Sequence, residues 1–206
     1  RLPRTAQRQR RHLQRDAAVW LVVGRPAPPW QVSGWVNAGV APTLASLRGR
    51  VVLVHAFQML CPGCVQHALP QVQRVQSLFD PAQLAVIGLH TVFEHHAAMQ
   101  RVSLEAFVHE YRLSFPIGID EASGDGPVPV TMRDWGLRGS PSLVLLDRDG
   151  VVRLHAFGAV PDLRLGAALA AAMVPGAAGE WSAFEDTERR PRPAAGTCDA
   201  DACGLA

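Results

Sequence analysis

Val51-Val52-Leu53-Val54-His55-Ala56-Phe57 form an almost unbroken apolar run rich in β-branched residues, and four positions past Phe57 the chain reads Cys61-Pro62-Gly63-Cys64. A run this apolar at odd and even positions alike suits a strand buried on both faces, so it belongs near the centre of a sheet. Beyond Cys61, the residues Val65, Ala68, Leu69, Val72, Val75 and Phe79 recur at helical spacing, and Pro62 suits a first-turn position. A cysteine pair set between a buried strand and the start of a helix leaves few architectures open. Pro70 falls inside that helix, where its missing amide and its ring predict a kink.

The rest of the chain repeats the alternation. Leu84-Ala85-Val86-Ile87-Gly88-Leu89 is a second apolar run, followed by a helical pattern from about Val102 to Arg112 and a short strand around Phe115–Ile119. Strands alternating with helices imply crossover connections and a largely parallel sheet covered on both sides. Ser142–Leu146 and Val151–Phe157 then flank Asp147-Arg148-Asp149-Gly150, whose residues suit a hairpin turn, so the sheet is mixed. An Ala- and Leu-rich closing helix spans Leu163 to Val174, and Pro175-Gly176 stops it. The expected fold class is α/β: a central mixed sheet flanked by helices, with an insertion after the second central strand.

The 206 residues suffice for one sizeable core, 48% of them are apolar, and no stretch reaches the roughly 18 consecutive apolar residues of a spanning helix. The net charge is only +2, yet all twenty basic residues are Arg, and six of them fall at Arg1, Arg4, Arg8, Arg10, Arg11 and Arg15. Residues 1–24 therefore read as a basic extension, solvated rather than bound to nucleic acid. Residues 25–175 form the folded domain, and 176–206 form a flexible tail ending in Cys198-Asp199-Ala200-Asp201-Ala202-Cys203. Ala17–Val23 is short for a signal peptide and leads into Arg25 and prolines, not a small-residue cleavage site. The expected location is the cytoplasm, or the periplasm where a native signal precedes Arg1.

Four cysteines in a chain read as intracellular suit catalysis or metal binding better than a disulfide framework. Two intervening residues let one thiolate attack a substrate disulfide and the other resolve the mixed disulfide. At a helix start the first sulfur faces free amides and the positive end of the dipole, so Cys61 is the expected nucleophile and Cys64 the resolver. The same spacing supplies half of a tetrahedral zinc site, but structural zinc pairs sit on tight loops, whereas this one joins strand to helix.

The segment Val51 to Cys64, the helix-internal Pro70, the added segment between His90 and Asp120, and Gly139-Ser140-Pro141 before a strand together resemble the thioredoxin-like superfamily. Within it they are most similar to the TlpA-like and alkyl hydroperoxide reductase/thiol-specific antioxidant (AhpC/TSA, redoxin) branch, over roughly Pro26 to Val174. The resemblance implies a cis Ser140-Pro141 bond facing the cysteine pair, with Ser140 and Pro141 binding extended substrate backbone. Three departures stand out. The pair encloses Pro-Gly where thioredoxin has Gly-Pro, Pro70 lies one residue later than the usual helix proline, and Val54 and Gln58 occupy the places of the Pro and Thr of typical peroxiredoxins. The last favours disulfide exchange over peroxidase activity.

His90, Glu94, His95 and His96 form the densest ionisable cluster outside the termini. Carboxyl ends of parallel strands share one edge of a sheet, which puts this segment on the side of Cys61 and makes His90 and Glu94 candidate proton acceptors for the resolving thiol. His55, inside the buried strand, reads as a hydrogen-bonded core histidine. Cys198 and Cys203 read as a candidate accessory redox pair. The expected function is thiol–disulfide exchange on protein clients, coupled to an external thiol reductant or oxidant, with no organic cofactor and no metal. A thiol peroxidase is the second reading. A copper- or zinc-handling protein using the pair with His90, His95 or His96 is the third.

Overall fold

A computed structural model describes residues 23–174; most of the basic extension, the tail and the Cys198/Cys203 pair lie outside the described residues. The described strands are β1 (Val32–Val36), β2 (Val51–Phe57), β3 (Leu84–His90), β4 (Ile117–Asp120), β5 (Ser142–Leu146) and β6 (Val152–Phe157). They form one sheet in the order β1-β4-β3-β2-β5-β6. β2 pairs with β3 and β3 with β4 in parallel, while the β1–β4, β2–β5 and β5–β6 pairs are antiparallel. The mixed sheet expected from the sequence is present, with the apolar runs of β2 and β3 at its centre. All seven residues of each are buried, because both faces are covered.

Alternation along β2 divides the core. Val52, Val54 and Ala56 join Ala85, Ile87, Leu89, Val144 and Leu146 against Met132, Trp135 and Leu137. The opposite parity carries His55 and Phe57, whose rings stack 5.5 Å apart; Phe57 also meets His90 at 5.4 Å and Phe107 at 6.2 Å. Gly88 sits where these rings converge. A Cβ on it would lie 2.8 Å from Ile117 Cγ1 and 3.1 Å from Phe115 Cε2, so only glycine lets β4 approach β3 this closely.

The helix after the cysteine pair opens with a π-helical turn, Cys64–Ala68, and continues as α1 (Leu69–Leu78). Pro70 does not end the helix, and the disturbance it predicts takes the form of the π-helical turn. The Leu69 amide reaches back five residues to the Cys64 carbonyl, and this wide turn takes up one extra residue just ahead of the proline, which has no amide to donate. Leu69, Val72 and Val75 bury one stripe of α1, and buried Gln71 donates to the Val160 carbonyl at 2.8 Å and to Asp162 Oδ1 at 2.6 Å. That ties α1 to the start of α4 (Asp162–Met173), which packs on β2, β5 and β6.

The insertion between β3 and β4 holds α2 (Arg101–Glu110), close to the helical pattern expected from Val102 to Arg112. A further short helix, α3 (Val130–Asp134), has no strong periodicity of its own. Its first amides are held by the buried Asp120 carboxylate at the end of β4, with Thr131 N donating at 2.8 Å and Met132 N at 3.0 Å. Burial raises the Asp120 carboxyl to about 6, against the pull of these amides. The β5–β6 hairpin turns through Gly150 at φ 68°, and Asp147 Oδ1 accepts the amides of Asp149 and Val151, as its turn chemistry implied. Among the described residues no helix is long and apolar enough to cross a membrane.

Candidate active site

β2 delivers the chain to the sheet edge and the following helix begins at once, which sets Cys61 at the helix entrance. Cys61 N donates to the Gln58 carbonyl at 3.2 Å, and Val65 N donates to the Cys61 carbonyl at 3.1 Å, closing the first turn around the pair. The Cys64 amide points at Cys61 Sγ, 3.3 Å away, a contact that supports negative charge on that sulfur. Cys61 is half-buried and Cys64 fully buried, both as free thiols. Burial, with the Cys61 sulfur next in weight, pushes the Cys64 thiol up to about 12; the Gln58 backbone and the Ser140 side chain draw it partway back. One sulfur is reachable, and its neighbour is held as a thiol in a dry setting.

The loop before β5 closes over the pair. The Ser140-Pro141 peptide bond is cis, and the Cys61 thiol donates to the Ser140 carbonyl at 3.5 Å. Pro141 lies over the helix start: a Cβ on Gly63 would be 3.4 Å from Pro141 Cδ, so a small residue at this position preserves the approach. The loop is anchored by Gly158 N donating to the Pro141 carbonyl at 2.8 Å and by Ser142 Oγ donating to the Gly139 carbonyl at 2.8 Å. Partly exposed Phe157 lies against Gly139, where a Cβ would come within 2.7 Å of its ring, and Arg138 sits over the same ring at 5.4 Å.

Both candidate proton acceptors reach this edge. Phe57 and His90 are register partners at the carboxyl ends of β2 and β3, so parallel pairing brings the segment after β3 beside the segment that carries Cys61. The two then diverge in character. His90 is buried against Phe57, its Nε2 has no hydrogen-bond partner, and burial lowers its pKa to about 4. Exposed Glu94 instead accepts from Gln58 Nε2 at 3.3 Å. His95 and His96 are exposed, with His96 Nε2 3.3 Å from the Pro127 carbonyl. Among the described residues no three His, Cys, Asp or Glu side chains converge on a metal-sized site, so these histidines do not join the cysteines in one ligand set. His55 is buried as expected and stacks on Phe57; the Ser142 backbone acts on its ring without a well-formed hydrogen bond to either nitrogen, and burial outweighs that pull and lowers the pKa to about 4.

Gln58 is the residue that sequence reasoning passed over. It is 1% exposed, and its amide contacts Glu94, Ser140 and the Phe93 backbone at 3.3–3.4 Å. Its signal in the sequence was a lone amide directly after an almost wholly apolar strand and three residues before the first cysteine.

Comparison with known proteins agrees with this geometry. The model of the AhpC/TSA family matches residues 23–155. Among solved structures, the thioredoxin-like superfamily protein SPOA0173 is 51% identical, with 72% of this chain and 96% of that one covered at a TM-score of 0.71. A thiol-disulfide isomerase from Corynebacterium glutamicum is 42% identical over the same shares, 72% and 96%, at a TM-score of 0.69. The protein DipZ of Mycobacterium bovis is 32% identical over 131 residues, which is 62% of this chain; the chain spans 17% of DipZ.

Proposed function

Because this chain belongs to the AhpC/TSA family, with a thioredoxin-like fold, we propose that it is a thiol–disulfide oxidoreductase acting on protein disulfides through Cys61 and Cys64. The observation that carries the reading is the asymmetry of the pair. Cys61 is accessible at a helix start with an amide aimed at its sulfur, and Cys64 is buried behind it as a thiol. The Cys61 thiolate attacks one sulfur of a client disulfide, forming a mixed disulfide and expelling the other client thiolate. Cys64 then loses its proton and attacks Cys61 Sγ, which releases the second client thiol and leaves a Cys61–Cys64 disulfide. Two electrons pass to the client, and an external dithiol restores the pair; with an external oxidant the same steps run in reverse.

Ser140 and Pro141 are the substrate-binding residues of this proposal, since the Ser140 carbonyl already meets the Cys61 sulfur, so that an extended client backbone bound along this segment would lie against the nucleophile. Val54 and Gln58, in place of the peroxidase residues, favour exchange over peroxide reduction: Val54 is buried core, and the Gln58 side chain is committed to neighbouring loops. The test is turnover of a peptide disulfide by the full chain under a dithiol reductant. Cys61→Ser is expected to abolish it, and Cys64→Ser to trap the client on Cys61. A Cys61→Ser protein with undiminished turnover would overturn the assignment.

A further inference from the structure

Buried Gln58 fixes a charge beside the segment that meets Cys61. Its Oε1 accepts from the Phe93 amide at 3.3 Å, and its Nε2 donates to Glu94 Oε1 at 3.3 Å and to Ser140 Oγ at 3.4 Å. The Phe93 amide can only donate and the Glu94 carboxylate can only accept, so these partners set which way the Gln58 amide faces. Directly after Glu94 the chain turns through His95 in left-handed backbone at φ 50°, and the Ala98 amide closes that turn on the His95 carbonyl at 2.9 Å. Glu94 is nonetheless exposed, and no ion pair among the described residues uses it. One amide nitrogen thus holds an open carboxylate and the Ser140 hydroxyl within about 7 Å of each other.

The far side of the same loop carries the opposite charge. Arg138, two residues before Ser140, lies over the Phe157 ring at 5.4 Å, and that ring abuts Gly139. Glu94 follows β3 and Phe157 ends β6, and the sheet order β3-β2-β5-β6 sets the cysteine segment and the Ser140 loop between them. Resting on the exchange reading above, we propose that Glu94, held in place by Gln58, is a specificity-determining residue that selects clients with a Lys or Arg close to the attacked cysteine on one flank. Two residues of extended client span about 7 Å, which matches the reach from Ser140 to the Glu94 carboxylate. The formal net charge of the chain is +2, so the molecule as a whole does not attract a basic client; the preference is local to Glu94.

The experiment measures kcat/KM of the full chain, under excess dithiol reductant at low ionic strength, for peptide disulfides that differ only in a Lys, Gln or Glu two residues from the cysteine. The varied residue precedes the cysteine in one set and follows it in the other. At one flank the expected order is Lys over Gln over Glu, with about two- to fivefold per step, the range of an exposed ion pair, and about 0.5 M salt should collapse it. At the other flank, nearer Arg138, no preference for Lys is expected. Glu94→Gln, at an exposed site that does not threaten folding, should erase the order whatever it does to the rate common to the three peptides, so a structural or proton-transfer role does not mimic the result. Gln58→Met keeps the side-chain length without the hydrogen bonds, and should shrink the order although the carboxylate is still present. An order that survives in Glu94→Gln overturns the proposal, as does a wild-type chain that favours Lys equally at both flanks or at neither, and a full preference in Gln58→Met overturns the part assigned to Gln58. A wild-type chain that turns over no peptide refutes the exchange reading instead, which keeps the two failures apart.

Discussion

Acidification from neutrality should weaken this fold, because it carries two buried histidines that gain a proton readily only on unfolding. His55 and His90 are buried, and burial lowers both from 6.5 to about 4, on His55 against a weaker opposing pull from the Ser142 backbone. Their neutral forms contribute stability that is fully present above 6.5 and is lost as the pH falls from 6.5 through 4, where the unfolded chain binds protons that the folded chain refuses. Between about pH 7 and about pH 5 the loss is roughly 2 kcal/mol for each histidine. Asp120 works the other way. Its carboxyl is raised from 3.8 to about 6 by burial, so the folded state gains stability as the pH falls through 6 towards 3.8, roughly 1 kcal/mol by about pH 5. The histidines win, and the net loss is about 3 kcal/mol. His155, lowered by burial and by the Arg138 charge, adds in the same direction. With a urea dependence of about 1–3 kcal/mol per molar, the midpoint of urea unfolding should fall by at least about 1 M across this interval. His55→Asn and His90→Asn should each flatten the pH dependence by roughly two thirds while lowering stability near neutrality. A midpoint that is constant, or that rises, from about pH 7 to about pH 5 would refute the reasoning.

The two cysteines should separate in alkylation of the reduced chain: peptide mapping is expected to find Cys61 modified at least about tenfold faster than Cys64, because only Cys61 is accessible and burial holds Cys64 as a thiol. Gly88→Ala places a methyl group 2.8 Å from fully buried Ile117, and the cost should be about 1–3 kcal/mol in chemical denaturation with little change in the chemistry of the pair. Gly139→Ala pushes into the Phe157 ring at 2.7 Å, beside the loop that carries Ser140 and Pro141. Its expected signature is weaker client binding, a higher KM for a peptide disulfide, at near-normal alkylation of Cys61.

Much of this architecture is written in local pattern. A strand buried on both faces is apolar at nearly every position, so β2 and β3 stand out despite His55 and His90. The hairpin after β5 announces itself through Asp147 and Gly150, and the cysteine pair through its spacing. β1 does not, since Val32-Ser33-Gly34-Trp35-Val36 is short, polar in part and interrupted by glycine; its strand character comes from antiparallel pairing with β4, more than eighty residues away. α3 escapes for a related reason: five residues cannot sustain a helix alone, and the Asp120 carboxylate that caps it arrives from another element. Pro70 predicts a disturbance from its covalent structure, yet whether the helix kinks, breaks or widens depends on what α1 must keep packed, and the outcome is a π-helical turn.

The site divides in the same way. Cys61 and Cys64 are legible because their chemistry depends on a two-residue spacing, and the side of the sheet reached by His90 and Glu94 follows from parallel topology. The choice between those two acceptors does not follow, because it turns on burial: the same register that brings His90 to the edge seals it against Phe57, while Glu94, four residues on, stays exposed. Gln58 meets Glu94 across 36 positions and Ser140 across 82, and no window of sequence contains all three. Sequence determines which segments carry apolar faces and reactive groups, since these are properties of single residues and their near neighbours. Which polar atoms finally touch is decided by the packing of those faces, since a hydrogen bond acts over about 3 Å and only the closed tertiary structure brings distant loops that near.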